Sequence, residues 1–435
     1  MGENLTLWFN MLDLKKYREN CSVNERKLKS KEADSDLFGA LSLYDSFCSL
    51  KLKLEEKQAL MNQTAKQIGE KKRKGEPCDE IFAQVGSLKT EITELTSEVK
   101  ASEEAYLDKV CRLPNIPSDD VKESPNPEDN VEIKSHGKKM SFSFAPKNHV
   151  ELNEKLELFD FKRGAKLSGS GWPVYKGIGA RLEWALINMM IDTHLENGYE
   201  MIMPPHLVKP DAMYGSGQLP KFGHQLFKVK DDDYDLMLIP TAEVALNGLH
   251  LGEIFDEALP KRYVAYTPCF RREAGGLGAQ ERGLIRMHQF NKVEMFCFSK
   301  PEQSEQVLQT MIDSAESILE KLGLHYRNML LVTGDTSFSA AKTIDIEVWL
   351  PGQDRYYEVS SISNCTDFQA RRSQIRYRDE NGKTDYVHTL NGSGLATSRV
   401  MVALLENYQQ EDGSIIVPEI LQKYLGGLKV LTPAS

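Results

Sequence analysis

Six apolar residues, Ile81, Val85, Leu88, Ile92, Leu95 and Val99, recur at alternating steps of four and three. On a helix such positions fall on one stripe, the seam of a coiled coil. Upstream, Phe47, Leu50, Leu54, Met61 and Ile68 keep a similar but less regular rhythm. Between the two runs lies GEKKRKGEPCDE, whose Gly69, Gly75 and Pro77 are expected to break the helix. Two helices with a reversing turn predict an antiparallel hairpin over about 34–113, an arm of roughly 50 Å at ~1.5 Å per residue. The same seam also suits a dimerisation coiled coil, and periodicity alone leaves both readings open.

Beyond the arm, LPNIPSDDVKESPNPEDN carries Pro114, Pro117, Pro125 and Pro127 and reads as an extended linker. This gives an N-terminal domain over 1–120, a linker over 121–145 and a second domain over 146–435. In the second domain, GARLEWALINMMIDTHLENG is an amphipathic helix ending at Gly198, and YEMIMPPHLV is a strand interrupted by Pro204 and Pro205. KRYVAYTPCF and GLIRMHQFNKVEMFCF are strands flanking a Gly-rich loop, and TIDIEVWLPGQDRYYEVSSIS supplies two more joined at Pro351-Gly352. Strands at hairpin spacing with helices between them predict an α+β domain on a mainly antiparallel sheet.

The chain has 435 residues, enough for two or three domains, and a net charge of −10. That balance disfavours nucleic acid on average. A local basic patch can still neutralise phosphates, and the hairpin tip provides one in Lys66, Lys71, Lys72, Arg73 and Lys74. Seven scattered cysteines without a C-x-x-C pair argue against a disulfide framework or a structural zinc site and for a reducing compartment. No apolar run approaches the ~20 residues of a membrane span, and no secretion signal is visible, so a cytoplasmic location is expected.

The densest chemistry lies in RREAGGLGAQERGLIRMHQFNKVE, residues 271–294. Read as one strand, Arg286, Phe290 and Glu294 share a face, and they offer a cation, an aromatic platform and a carboxylate. These suit an anion, a flat base and an amine. Arg271, Glu273 and Arg399 are further candidates, because a guanidinium makes bidentate, charge-assisted bonds to phosphate. Glu358, Ser360 and Ser361 in YYEVSSISNCTDF offer hard oxygen ligands for Mg²⁺. Strict alternation separates Glu358 from Ser361, so sharing a metal requires the strand to twist or end there. Glu243, after Thr241 and Ala242, either binds an ammonium or caps the next helix. The glycines of Asn391-Gly392-Ser393-Gly394 would bring Ser393 to a pocket wall. The Gly275–Gly283 loop has the look of a phosphate cradle.

TAEV, CFRREAG, GLIRMHQFNKVE, EVSSISNCTDFQARR and HTLNGSGLATSR together resemble the bacterial-type seryl-tRNA synthetases, class II aminoacyl-tRNA synthetases. The similarity runs from MLDLKKYREN at Met11 through the hairpin to VPEILQKYLGG. It implies a coiled-coil tRNA-binding arm before a class II catalytic domain, and ATP-dependent charging of tRNA(Ser), and tRNA(Sec) where present, with L-serine through a seryl-adenylate. It implies ATP and Mg²⁺ as cofactors, and a homodimer with tRNA bound across the two subunits. By position, Arg271 would hold the α-phosphate and the serine carboxylate, and Glu273 would contact adenine. Phe290 and Arg399 would sandwich the adenine with Met287 alongside, and Arg286 and Arg399 would bind the γ-phosphate. Arg272, Val359 and Ser360 complete the implied ATP site, and Glu358 and Ser361 would carry Mg²⁺. Thr241, Ala242, Glu243, Arg271, Glu294, Asn391 and Ser393 would form the serine pocket, with Arg271, Glu358 and Arg399 the catalytic set. Lys71, Lys72, Arg73 and Lys74 would meet the tRNA, and the Gly-rich loop would close over the site and meet the tRNA end. Arg272 stands where the family commonly has Ser, Ala245 replaces a usual Pro, and GLGAQE differs in the Gly-rich loop.

Overall fold

Asp36 starts the first long helix, its carboxylate accepting from the Gly39 amide, and α1 (Leu37–Lys74) runs until Gly75 adopts a left-handed φ of 71°. The chain reverses and α2 (Asp79–Cys111) returns alongside. The computed structural model describes residues 12–273 and 283–433. It places this hairpin in one compact unit, Met11–Pro114, and the remaining described residues in a second, Asn115 onward. The predicted seam residues are the sheltered ones along the arm: Leu88 is buried and the other five are half-buried among mostly exposed neighbours, and burial deepens at Tyr106, Leu107, Val110 and Cys111 near the helix end. Lys57 pairs with Glu91 across the two helices at 2.6 Å. The seam therefore closes within one chain. Gly69 does not break α1. A single interior glycine costs ~1 kcal/mol, which a 38-residue helix absorbs. At the tip Lys72, Arg73 and Lys74 are exposed, with Lys72 5.3 Å from the Phe82 ring.

The second unit is built on an eight-stranded sheet. Its strands in chain order are β1 (Val131–His136), β2 (Glu200–Met201), β3 (Lys261–Phe270), β4 (Gln289–Ser299), β5 (Tyr326–Leu330), β6 (Lys342–Leu350), β7 (Arg355–Asn364) and β8 (His388–Ala396). They lie in the order β1-β5-β6-β7-β8-β4-β3-β2, antiparallel throughout except for the β2–β3 pair. One face packs against α3 (Ile178–Glu196), α5 (Ser304–Lys321) and α7 (Thr397–Asn407). The shorter α4 (Ala242–Gly248) and α6 (Phe368–Ser373) flank the opposite face. Along β4 the alternation is plain. Val293, Met295 and Cys297 join the main core, whereas Phe296 and Phe298 join a second aromatic cluster with Phe255 and Tyr263.

The linker expected over 121–145 differs in the structure. The compact units divide between Pro114 and Asn115, and residues 131–136 form an edge strand on β5. The proline-free VEIKSH supplies main-chain donors and acceptors that β5 would otherwise leave unpaired. In the YEMIMPP segment the strand is two residues long, with one further main-chain bond from Ile202 to Val264, because Pro204 and Pro205 cannot donate to a ladder. Apart from Gly283, the Gly-rich loop lies outside the described residues.

Candidate active site

A cavity of about 320 Å³ opens over β4, β7 and β8. It gathers Thr241, Glu243, Arg271, Glu273, Arg286, Met287, Phe290, Glu294, Glu358, Ser361, Asn391, Ser393 and Arg399 from five separate stretches of the chain. Four other expected residues do not line it. Ala242 is fully buried in α4, Val359 packs in the core, and Arg272 is tied by its amide to the Gln225 carbonyl. Ser360 is buried and donates its hydroxyl to the Ser393 carbonyl at 2.5 Å. Arg286 also departs from expectation, because it precedes β4 rather than lying in it. It still reaches the cavity and pairs with Glu273 at 2.7 Å.

Glu358 and Ser361 face the same space because β7 carries a bulge. Ile346 pairs with Ser360 and Glu347 with Glu358, so Val359 is an extra residue that turns into the core. A bulge re-aims side chains in this way. Ser361 pairs with Asp345 across the ladder and hydrogen-bonds its carboxyl. Asp345 was not expected from sequence. Burial, then the neighbouring charge of Glu358, pushes its carboxyl well above the ordinary range. Asp345 Oδ1 is buried with no hydrogen-bond partner among the described residues. Two carboxylates and a hydroxyl fit Mg²⁺, which takes a few protein oxygens and completes its shell with phosphate oxygens and water. Beside them Arg399, in the first turn of α7, donates to the Glu358 carbonyl at 3.0 Å and lies 3.3 Å from its carboxylate.

The other end of the cavity is drier. Thr241 caps α4, its hydroxyl accepting from the Glu243 amide at 3.2 Å, so the cap expected of Glu243 is supplied by Thr241 instead. Glu243 accepts from Gln369 Nε2 at 2.6 Å and from Asn391 Nδ2 at 3.3 Å. Burial, reinforced by the charge of Glu294, raises the Glu243 carboxyl to about 7, and Lys292, Gln369 and Arg271 oppose the rise. Lys292 pairs with Glu294 and donates to Thr241 Oγ1 at 2.8 Å. Sequence reading missed Lys292, although alternation along β4 places 290, 292 and 294 on one face. Arg271 lies between the two ends. Its Nε donates to the Pro240 carbonyl at 3.2 Å and its guanidinium sits 5.2 Å from the Phe290 ring centroid.

Ser393 is held from behind. A side chain at Gly394 would meet His194 Nε2 at 2.3 Å, which only glycine avoids. Burial lowers His194 to about 4, so the neutral ring donates through Nε2 to the Gly394 carbonyl at 2.5 Å and accepts at Nδ1 from Ser314, 2.8 Å away.

With this geometry in hand, the relatives are informative. The family model described as the seryl-tRNA synthetase N-terminal domain matches residues 11–117, and that of the tRNA synthetase class II core domain (G, H, P, S and T) matches 227–408. A serine–tRNA ligase from Chlamydia felis is 50% identical over 423 residues, covering 97% of this chain and 99% of the relative. The seryl-tRNA synthetase of Pyrococcus horikoshii complexed with ATP superposes with a TM-score of 0.90 at 37% identity, covering 98% of this chain and 100% of that one. The cytoplasmic serine–tRNA ligase of Naegleria fowleri in complex with AMP gives 0.83 at 28% identity, over 98% and 99%. Both the arm and the cavity are thus accounted for by one lineage, and the chain belongs to the seryl-tRNA synthetase family of class II aminoacyl-tRNA synthetases.

Proposed function

We propose that this protein uses ATP to attach L-serine to tRNA(Ser) in two steps. A serine carboxylate oxygen attacks the α-phosphorus of ATP and the bond to pyrophosphate breaks, giving seryl-adenylate. The 3′-hydroxyl of the terminal tRNA adenosine then attacks the activated carbonyl, and AMP leaves. The observation that carries this reading is a single cavity joining two buried carboxylates, suited to an amino acid, to arginines suited to phosphates.

Each role follows from chemistry at that place. Arg271, between the two ends, holds the serine carboxylate against the α-phosphate, and such positioning replaces a bimolecular encounter. Arg286 and Arg399 take the outer phosphates, and Phe290 is the platform for adenine, with Glu273 and Met287 beside it. Arg272, Val359 and Ser360 act through the main chain or by packing, Ser360 by fixing the Ser393 carbonyl. Glu358 and Ser361, with Asp345 behind them, would hold Mg²⁺, which supplies charge neutralisation across the phosphates when bound. Glu243 meets the ammonium, and Glu294, Ser393, Asn391 and Thr241 surround the hydroxyl and amine, with Ala242 packing behind. A pocket that hydrogen-bonds a hydroxyl rejects the analogue lacking it by ~10⁴-fold, because its polar groups are left unpaired.

The exposed Lys72, Arg73 and Lys74, with half-buried Lys71, are placed at the arm's tip to meet tRNA phosphates, including tRNA(Sec) where present. A homodimer with tRNA across the subunits is supported by an exposed apolar set on α3, β2 and the residues just after β2: Trp184, Leu195, Met201 and Met203. Among the described residues no disulfide joins the seven cysteines, which supports a cytoplasmic location. Serine-dependent ATP–pyrophosphate exchange, followed by charging of tRNA(Ser), tests the reading. Exchange and charging are expected with serine, and neither occurring with folded protein would refute it.

A further inference from the structure

Buried lysines are rare, and Lys292 is 6% exposed at the amino-acid end of the cavity. Two carboxylates share that end, Glu243 and Glu294, and Lys292 is the lysine between them on β4. Its ammonium pairs with Glu294 and donates to Thr241 Oγ1 at 2.8 Å. The Thr241 oxygen also accepts from the Glu243 amide, so both of its lone pairs are taken. Its remaining O–H hydrogen is a donor. A substrate ammonium cannot accept it, but a substrate oxygen can.

We propose that Lys292 is a positioning residue that sets the charge of the amino-acid pocket: it neutralises Glu294 and turns the Thr241 hydroxyl into a donor, which leaves Glu243 as the carboxylate reserved for the substrate ammonium. This deepens the functional reading above and rests on it. The groups facing Glu243 divide accordingly. Glu294 opposes its ionisation, while Lys292 on β4, Arg271 beyond β3 and Gln369 on α6 favour it, and Asn391 on β8 donates to it. With Glu243 near 7 and the Lys292–Glu294 pair neutral in sum, an arriving ammonium draws the Glu243 proton off and finds one uncancelled negative charge.

The test compares Lys292→Met with Lys292→Arg in ATP–pyrophosphate exchange from pH 6 to 8.5. Methionine keeps the bulk and removes the charge. The expected result is a serine KM raised at least ~30-fold and an ATP KM within ~2-fold, because the lost pair lies away from the phosphates. The fall of serine KM with rising pH should also move to higher pH, since the cation that favours Glu243 ionisation is gone. Arginine should restore most of the serine KM and the original pH profile. Lys292→Gln, which keeps a donor to Thr241, serves if the methionine variant fails to fold, and it should show the same displaced profile. Wild-type serine KM and pH profile in the uncharged variants, or equal rises in both KM values, would overturn the inference while the wild-type enzyme stays active. A wild-type protein without serine-dependent exchange would overturn the parent reading and this one together.

Discussion

The two ends of the cavity hold similar charges in opposite ways. At the nucleotide end one member of each pair reaches solvent: Arg286 is 38% and Glu358 40% exposed, against 13% and 21% for their partners Glu273 and Arg399. Half-exposed ion pairs contribute ~0–1 kcal/mol, so Arg286 can leave Glu273 for a phosphate at little cost. At the amino-acid end Lys292 and Glu294 are 7% and 2% exposed, and breaking a buried pair costs ~3–5 kcal/mol. In the proposed reading, one end exchanges partners and follows a flexible polyphosphate. The other is fixed before its ligand arrives, as discrimination of a single hydroxyl requires.

The largest expected effect lies at the buried end. Glu294→Ala strips Lys292 of its carboxylate, and serine-dependent exchange should fall ~10³-fold or more, with several degrees lost from the Tm. A variant with unchanged Tm would break the claim that this end is electrostatically fixed. Arg286→Ala, at the open end, should lower exchange by ~10²-fold and raise the ATP KM, yet leave stability within ~1 kcal/mol. Replacing Lys71, Lys72, Arg73 and Lys74 together by Ala should reduce kcat/KM for tRNA charging by ~30-fold and flatten its salt dependence, with exchange unaffected. Equal losses in both assays would contradict the division of labour. The smallest effect concerns pH. Glu243 has its carboxyl raised to about 7 and binds an ammonium only when ionised, so serine KM should rise as pH falls through 7. Between pH 8 and 6 the rise should be about tenfold, and Glu243→Gln should remove this dependence.

How far each region was readable depended on where its partners lie in the chain. The arm's seam is local, and six residues at steps of four and three sufficed to place α2 and its buried stripe. What periodicity left open was whether the partner helix belonged to the same chain, which only the α1–α2 packing answers. At the cavity, period-two alternation places Phe290 and Glu294 together, and strict use of it would have included Lys292. Reading Arg286 into the same strand stepped over that residue. The bulge at Val359 was anticipated only as a condition for Glu358 and Ser361 to meet, because bulges are defined by register with a partner strand. Asp345 and Gln369 were invisible for the same reason: each acquires its role from a neighbour distant in sequence. The proline-rich segment hid β1 because an edge strand needs little hydrophobic patterning when β5 offers it a ladder.

The central claim is that a pre-set, buried group of charges selects the amino acid before tRNA takes part. The direct measurement is ATP–pyrophosphate exchange without tRNA, comparing kcat/KM for serine with that for alanine, which lacks only the hydroxyl. The account predicts a preference for serine of ~10³-fold or more, with the difference unchanged between low and moderate salt. Comparable rates for the two amino acids, or a preference that disappears on adding salt, would contradict it.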